Sequence, residues 1–299
     1  MRRTKKASQS KPSAILTADW HLRETVPVCR TDNFWQTQWD KVDQIRRLQV
    51  KYNCPVIHAG DLFDHWKPSP HLLSKAFLCL PERFWTIYGN HDLPQHNLSL
   101  YHKSGVYTLA SGFKIHVLKS AHWGQNPRQN PDDYVVEIEG TKILVWHVMT
   151  YLGQPPWPGC DAMTADRILK VLPQFDLIVT GDNHKSFVVE KKGRWLVNPG
   201  SLTRQTAAQA DHRPCVYLWY ANERKAKPHY LDVQDGVVSN THLVETEERN
   251  ARIEAFLERL DRDWEVGLDF NRNLEVFLKK NRIRKPVREL VWKAVDGED

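Results

Sequence analysis

Five short segments carry most of the side chains able to do chemistry. They are Asp19-Trp20-His21, Gly60-Asp61-Leu62-Phe63-Asp64, Gly89-Asn90-His91-Asp92, His147 after Ile143-Leu144-Val145-Trp146, and Gly181-Asp182-Asn183-His184. Carboxylates mixed with imidazoles suit Mn²⁺, Fe or Zn²⁺, whereas oxygen ligands alone favour Mg²⁺ or Ca²⁺. In an extended Asp-x-His segment the two side chains leave the same face, so both can reach one ion. Gly60, Gly89 and Gly181 would let the backbone turn sharply beside these residues. Two ions about 3.5–4 Å apart can clamp the attacking and leaving oxygens of an in-line displacement at phosphorus. The implied chemistry is metal-dependent phosphoester hydrolysis.

Each segment alone has a plainer reading. Asp61 or Asp64 could cap a helix, and Asn90 could occupy a turn at positive φ. A single histidine such as His147, at the end of an apolar run, is more often a satisfied core residue than a ligand. What separates the chemical reading from these is the set of five, each following an apolar strand.

The elements that must position them read as an α/β layer fold. Ala14 to Leu16, Pro55 to Ile57, Phe84 to Ile87, Lys142 to Trp146 and Asp176 to Val179 are expected strands. Trp35, Trp39, Val42, Ile45 and Leu48 mark a helix, and Ile168, Val171 and Leu172 another. Between 186 and 233, short runs (Val188-Val189, Trp195 to Val197, Val216 to Trp219) suggest antiparallel strands completing a second sheet. Polar clusters at strand ends are where active sites form in open α/β sheets. The expected organisation is a disordered basic tail at 1–12, an α/β domain at 13–244 and a helical segment at 245–299. That last segment shows three apolar stripes: Ile253, Phe256, Leu257 and Leu260; Leu274, Phe277 and Leu278; Val287, Leu290 and Val291.

Composition narrows the class. The chain has 299 residues and a formal charge of +6. Residues 1–12 hold five basic and no acidic groups, which leaves 37 basic against 36 acidic groups, or +1, in the remainder. Any nucleic-acid contact must therefore come from local patches rather than a global field. No apolar stretch is long enough to span a bilayer, and the basic start lacks the apolar core of a secretory signal. Five scattered cysteines without a CxxC pair read as reduced thiols, so a cytoplasmic protein is expected.

The order DxH, GDxxD, GNHD, H, GDxH resembles the calcineurin-like metallophosphoesterase superfamily over roughly residues 13 to 235. Ala59 to Asp64 running into Lys67-Pro68-Ser69, Tyr88 to Asp92, and Asn198-Pro199-Gly200-Ser201 are similar to the SbcD-type DNA repair nucleases, phage relatives included. The resemblance implies a two-sheet α/β sandwich holding two divalent ions, Mn²⁺ first, with Fe, Zn²⁺ or Mg²⁺ as alternatives. Asp19, His21, Asp61 and His184 would hold the first ion, with Asp61 bridging to the second. Asn90, His147 and Asp182 would complete the second. His91 would face the substrate and protonate the leaving oxygen, and Asp64 would orient His91 and keep it protonated. Two positions depart from the family pattern. Asp182 stands where the last motif usually has a histidine, which hardens the site and favours Mn²⁺. Asp64 stands where the repair nucleases often have histidine and the phosphatase branches aspartate.

The resemblance also implies DNA as substrate, an SbcC-type coiled-coil ATPase meeting the C-terminal helices, and room for a homodimer. The alternative is a protein phosphatase or a phosphodiesterase of nucleotides and other small molecules. Trp20, Trp66, Trp123 and Trp157 fall on or near the motif loops, where they could stack on a base or simply pack. Lys279, Lys280, Arg282, Arg284, Lys285 and Arg288 form the densest basic run, either a solvated helical face or a phosphate contact.

Overall fold

The computed structural model describes residues 10–262 and 270–296, with backbone only at 245 and 255–262. Residues 1–9 of the basic tail lie outside the described residues, and Pro12 is already buried.

Strands β1 (Ala14–Thr17), β2 (Val56–His58), β3 (Phe84–Thr86) and β4 (His116–Val117) run parallel as neighbours. Helix α1 (Phe34–Tyr52) links β1 to β2, α2 (Pro70–Cys79) links β2 to β3, and α3 (Gly105–Ser111) precedes β4. A second sheet holds β5 (Val136–Ile138), β6 (Thr141–His147), β9 (Leu177–Gly181), β10 (Phe187–Lys191) and β11 (Arg194–Asn198), in the order β10-β11-β9-β6-β5. A small pair, β7 (Thr150–Tyr151) and β8 (Met163–Thr164), precedes helix α4 (Ala165–Val171).

Neighbouring residues of these strands enter opposite layers, as a pleated strand requires. Leu16, Ile57, Val145, Val179 and Val197 fill the space between the sheets. Their neighbours Ile15 and Val56 face outward with Val42 and Ile45 of α1. Leu144, Ile178 and Leu196 face Ile168 of α4 and Phe175. Strands covered on both faces read as unbroken apolar runs, which is how they show in the sequence. Helix ends follow local chemistry: Asn33 caps α1 by accepting from the Gln36 N–H, and Ser69 caps α2 ahead of Pro70 in its first turn.

The expected two-sheet sandwich is present, with one correction. Only β10 and β11 of the late strands join the second sheet. β12 (Cys215–Tyr220) pairs antiparallel with β1, and β13 (Lys225–Tyr230) with β12, so both extend the first sheet. A buried run such as Val216 to Trp219 fits the edge of either sheet, and periodicity does not name its partner.

The chain divides into two compact units, the first ending at Ser239 and the second starting at Asn240, five residues before the expected change. The second unit has the three expected helices, α5 (Thr241–Arg262), α6 (Phe270–Lys280) and α7 (Lys285–Asp296). Leu274, Phe277 and Leu278 pack with Ile283, Val291 and Trp292. Val287 and Leu290 of the third stripe are exposed, and the side chains of Phe256, Leu257 and Leu260 lie outside the described residues.

Candidate metal centre

The carboxyl-terminal ends of β1, β2, β3, β6 and β9 deliver the motif residues to one rim. Three groups of potential ligand atoms gather there: Asp19, His21 and His184; Asp19, Asp61 and His147; and His21, Asp64 and His91. Asp61 occupies the middle. Its Oδ2 lies 3.5 Å from His21 Nε2 and 3.4 Å from His147 Nε2, while its Oδ1 accepts the His91 backbone N–H at 2.9 Å. One oxygen is thus tied to the backbone and the other stands between His21 and His147. His147 turns Nδ1 to the Ala59 carbonyl at 2.7 Å, so this nitrogen carries the proton and Nε2 faces Asn90 Oδ1 at 2.9 Å.

The donor set fits divalent cations. Asp19 Oδ2 is buried with no hydrogen-bond partner, a costly state for a carboxylate unless a cation meets it. His21 Nε2 and His184 Nε2 face each other at 3.1 Å across the same space. Burial drives the Asp19 carboxyl well above the usual carboxylate range, with Asp61 and Asp182 adding repulsion. Burial lowers His21 to about 3 and also lowers His184, leaving both neutral as metal ligands must be. Burial alone would lower His147 too, but Asp61 lifts it to about 10, and His147 with His21 holds Asp61 below its ordinary range.

The backbone is as specialised as the side chains. Asp19, His21, Asp61 and Asp182 all have left-handed backbones, with φ of 51°, 44°, 59° and 76°. The extended Asp-x-His geometry expected at 19–21 is therefore replaced by two left-handed residues. Of the three motif glycines, only Gly60 uses positive φ, at 93°. Gly89 is needed for space, since a Cβ there would lie 2.1 Å from Asp61 Oδ1.

Two expected roles look different in place. Asp64 meets His91 through its backbone carbonyl, 2.7 Å from His91 Nδ1, because its carboxylate turns to Arg23 Nη1 at 3.1 Å and lies 3.8 Å from His21 Nδ1. Asp182 joins none of the three ligand groups. Its N–H binds Asp19 Oδ1 at 2.9 Å, and its carboxyl is raised by burial and by Asp61 while His147 lowers it. The tryptophans divide. Trp20 is fully buried, with Nε1 on Thr17 Oγ1 at 2.8 Å and its ring edge-on to Phe84. Trp123 lies edge-on to the His147 ring at 6.0 Å, Trp66 is half-buried, and Trp157 is exposed.

Two supports were not read from the sequence. Asp92, fully buried, accepts the backbone N–H groups of Asp61, Leu62, Phe63 and Gly89 at 2.9 to 3.2 Å, clamping two motif loops together. Burial and the Asp61 charge push its carboxyl up to about 7, against the pull of those N–H groups. Its place beside Asn90 and His91 was visible, but residue type does not separate a ligand from a clamp. Asn198 donates to the carbonyls of Asn183 and Lys185, while the N–H groups of Ser201 and Leu202 bind the carbonyls of His184 and Asp19. The stretch from Asn198 to Leu202 is thereby tied to the Asp19 and His184 segments at once.

A layered α/β sandwich with Asp, His and Asn gathered on one rim is the arrangement of a metallophosphoesterase. Residues 15–219 match the calcineurin-like phosphoesterase superfamily domain, and the chain belongs to that superfamily. It is similar to the DNA double-strand break repair protein Mre11 of Haloferax volcanii (29% identity over 173 residues, 53% of this chain and 38% of that protein). It is also similar to Mre11 of Methanosarcina acetivorans (27% over 223 residues, 66% of this chain and 35% of that protein). The chain thus spans little more than a third of the length of these relatives. Among solved structures, a novel archaeal phosphodiesterase aligns with a TM-score of 0.43 and 13% identity, over 73% of this chain and 99% of that one. No helix of the described residues is long and apolar enough to cross a membrane.

Proposed function

We propose that the chain is a two-metal phosphodiesterase, a Mn²⁺-dependent DNA nuclease of the SbcD type that works in DNA processing or repair. The observation that supports the two-metal reading is Asp61 Oδ2 standing between His21 and His147, which fall in different ligand groups. Asp19, His21, Asp61 and His184 would hold one ion, and Asp61, Asn90, His147 and Asp182 the other. Bound there, the ions would supply Lewis acidity and positive charge for in-line displacement at phosphorus.

The chain's own groups then have distinct tasks. His91 Nδ1–H donates to the Asp64 carbonyl at 2.7 Å, which fixes the ring. That leaves Nε2 to hold the proton delivered to the leaving oxygen. Asp64 and Arg23 neutralise each other beside it, and Asp92 keeps the Asp61 and Asn90 loops in register. The Mre11 relatives, named for double-strand break repair, support DNA as the substrate. The α5–α7 unit is the segment proposed to meet an SbcC-type ATPase, in a cytoplasmic setting.

Purified protein incubated with Mn²⁺ and end-labelled DNA, with bis-p-nitrophenyl phosphate and a phosphomonoester in parallel, tests this reading. Cleavage of DNA and the diester, with little of the monoester, is expected. Asp64, the residue type common in the phosphatase branches, is the one feature favouring the alternative, which predicts the monoester as best substrate.

A further inference from the structure

The candidate metal centre sits between two grooves, and each takes one of its ligands as part of its wall. A groove of about 660 Å³ has Asn183, His184, Lys185, Arg213 and Tyr230 in its wall. A second, of about 460 Å³, has His147, Trp123, Arg128 and Arg167 in its wall. His184 gathers with Asp19 and His21, and His147 with Asp19 and Asp61, so the two grooves meet the centre at different ligand groups. Each volume is on the scale of a site for one small organic molecule.

The chemistry of the two walls matches. Each has two exposed cations and an aromatic ring: Lys185 and Arg213 with Tyr230, Arg128 and Arg167 with Trp123. Among the described residues none of these four cations is paired with a carboxylate, whereas surface cations nearby, such as Lys191 with Asp166, are. Arg213 lies over the Tyr230 ring, 4.7 Å from its centre, a flat platform that presents charge and π surface together. Arg128 Nε donates to Asn126 Oδ1 at 2.9 Å and Nη1 to Met163 Sδ at 3.9 Å, so its charge is met by no carboxylate among the described residues. Asp211 and Asp161 line the grooves singly, so each keeps an excess of one positive charge.

A phosphomonoester has one substituent on phosphorus and needs one groove, while a diester within a chain has two substituents that leave in different directions. We propose that the two grooves are the subsites for the nucleotides on either side of the scissile phosphate. Lys185 and Arg213 would take the backbone on the His184 side, and Arg128 and Arg167 on the His147 side. The inference rests on the nuclease reading above and names the residues that give it a polynucleotide rather than a small diester. Cations and aromatic rings in one groove suit single strands, where phosphates meet the charges and bases stack.

The test is binding of a fluorescein-labelled thymidine oligonucleotide by anisotropy, in EDTA so that nothing turns over. Wild type, Lys185→Ala/Arg213→Ala and Arg128→Ala/Arg167→Ala are compared across a salt series. Each pair supplies up to two phosphate contacts, worth about 0.7 each in the slope of log affinity against log salt for single strands, so each double variant should lose up to about 1.4 of slope. At moderate salt this corresponds to a loss on the order of tenfold in affinity. Turnover of bis-p-nitrophenyl phosphate with Mn²⁺ should stay within about twofold of wild type. Unchanged affinity and slope in both variants, or no binding by wild type, overturns the subsites, and so does a parallel loss of small-diester turnover. Wild type that binds the oligonucleotide through these residues, turns over the small diester and leaves DNA uncut would instead overturn the nuclease reading alone.

Discussion

Replacing Asp92 by asparagine changes no candidate ligand, yet it should weaken the whole rim. The carboxylate accepts Leu62 and Phe63 N–H groups on Oδ1 and Asp61 and Gly89 N–H groups on Oδ2. Asparagine keeps one oxygen and turns an NH₂ donor toward the other pair, so two buried N–H groups lose their acceptor. Two buried N–H groups left without an acceptor cost about 1–3 kcal/mol each, and relief of the carboxylate's burial and of its repulsion from Asp61 offsets part of this, for a net loss of roughly 2–4 kcal/mol. For a unit of this size 1 kcal/mol moves the melting temperature by about 2–4 °C, so a fall on the order of 10 °C is expected. Scanning calorimetry at pH 8, where the wild-type carboxyl is ionised, reads this directly. Titration of Mn²⁺ should show weaker binding in the variant, because Asp61 and Asn90 lose their common anchor. A melting temperature within about 2 °C of wild type refutes the clamp.

The other expectations concern the metals and the tail. His91→Ala should keep both metals by elemental analysis and lose ~10²- to 10⁴-fold in turnover, the usual contribution of a general acid; loss of an ion would show that His91 is a ligand instead. Asp182→His should stay active with a shifted metal preference, and Asp182→Ala should empty one site only; equal Mn²⁺ stoichiometry in Asp182→Ala and wild type contradicts ligation. His147 is lifted to about 10 without metal, so its proton must leave on binding, and Mn²⁺ affinity should rise from pH 6 to 9 with proton release seen calorimetrically. By the same linkage the metal-free fold has the full benefit of the raised His147 below about pH 6.5 and loses it as pH rises through about 10. Lowered Asp61 acts oppositely, its benefit present above the ordinary carboxylate range and lost on acidification. Truncation after Ser239 should spare bis-p-nitrophenyl phosphate turnover, and an insoluble or inactive product would assign α5–α7 to the core.

The parts of this molecule that are readable from sequence are those where residue type and neighbours are the signal. Ala14 to Leu16, Lys142 to Trp146 and Asp176 to Val179 read as buried strands from their apolar runs, and the polar segments after them pointed to a site only when taken together. Helices α2 and α3 do not stand out, since Pro70–Cys79 and Gly105–Ser111 are too short for a clear apolar stripe. The sheet joined by β12 differs from the expected one because the same buried run suits two edges. Within the site, contributions made by the backbone leave no trace in residue type. The Asp64 carbonyl on His91, the Ala59 carbonyl on His147 and the four N–H groups on Asp92 would be the same with other side chains on the residues that supply those backbone groups.

The left-handed backbones at Asp19, His21, Asp61 and Asp182 mean that a substitution there has two separate costs, one set by its donor atoms and one by its φ. A branched Cβ at such a position is strained whatever its chemistry, whereas asparagine adopts this region readily and glycine without steric cost. A saturation scan of the four positions should therefore pull the two costs apart. Valine, isoleucine and threonine should lower abundance as well as activity. Asparagine and glycine should leave abundant, soluble protein that has lost activity alone. Positions such as His147, on a regular strand, should show no such split, so the abundance map by itself would trace where the chain bends to meet its ions.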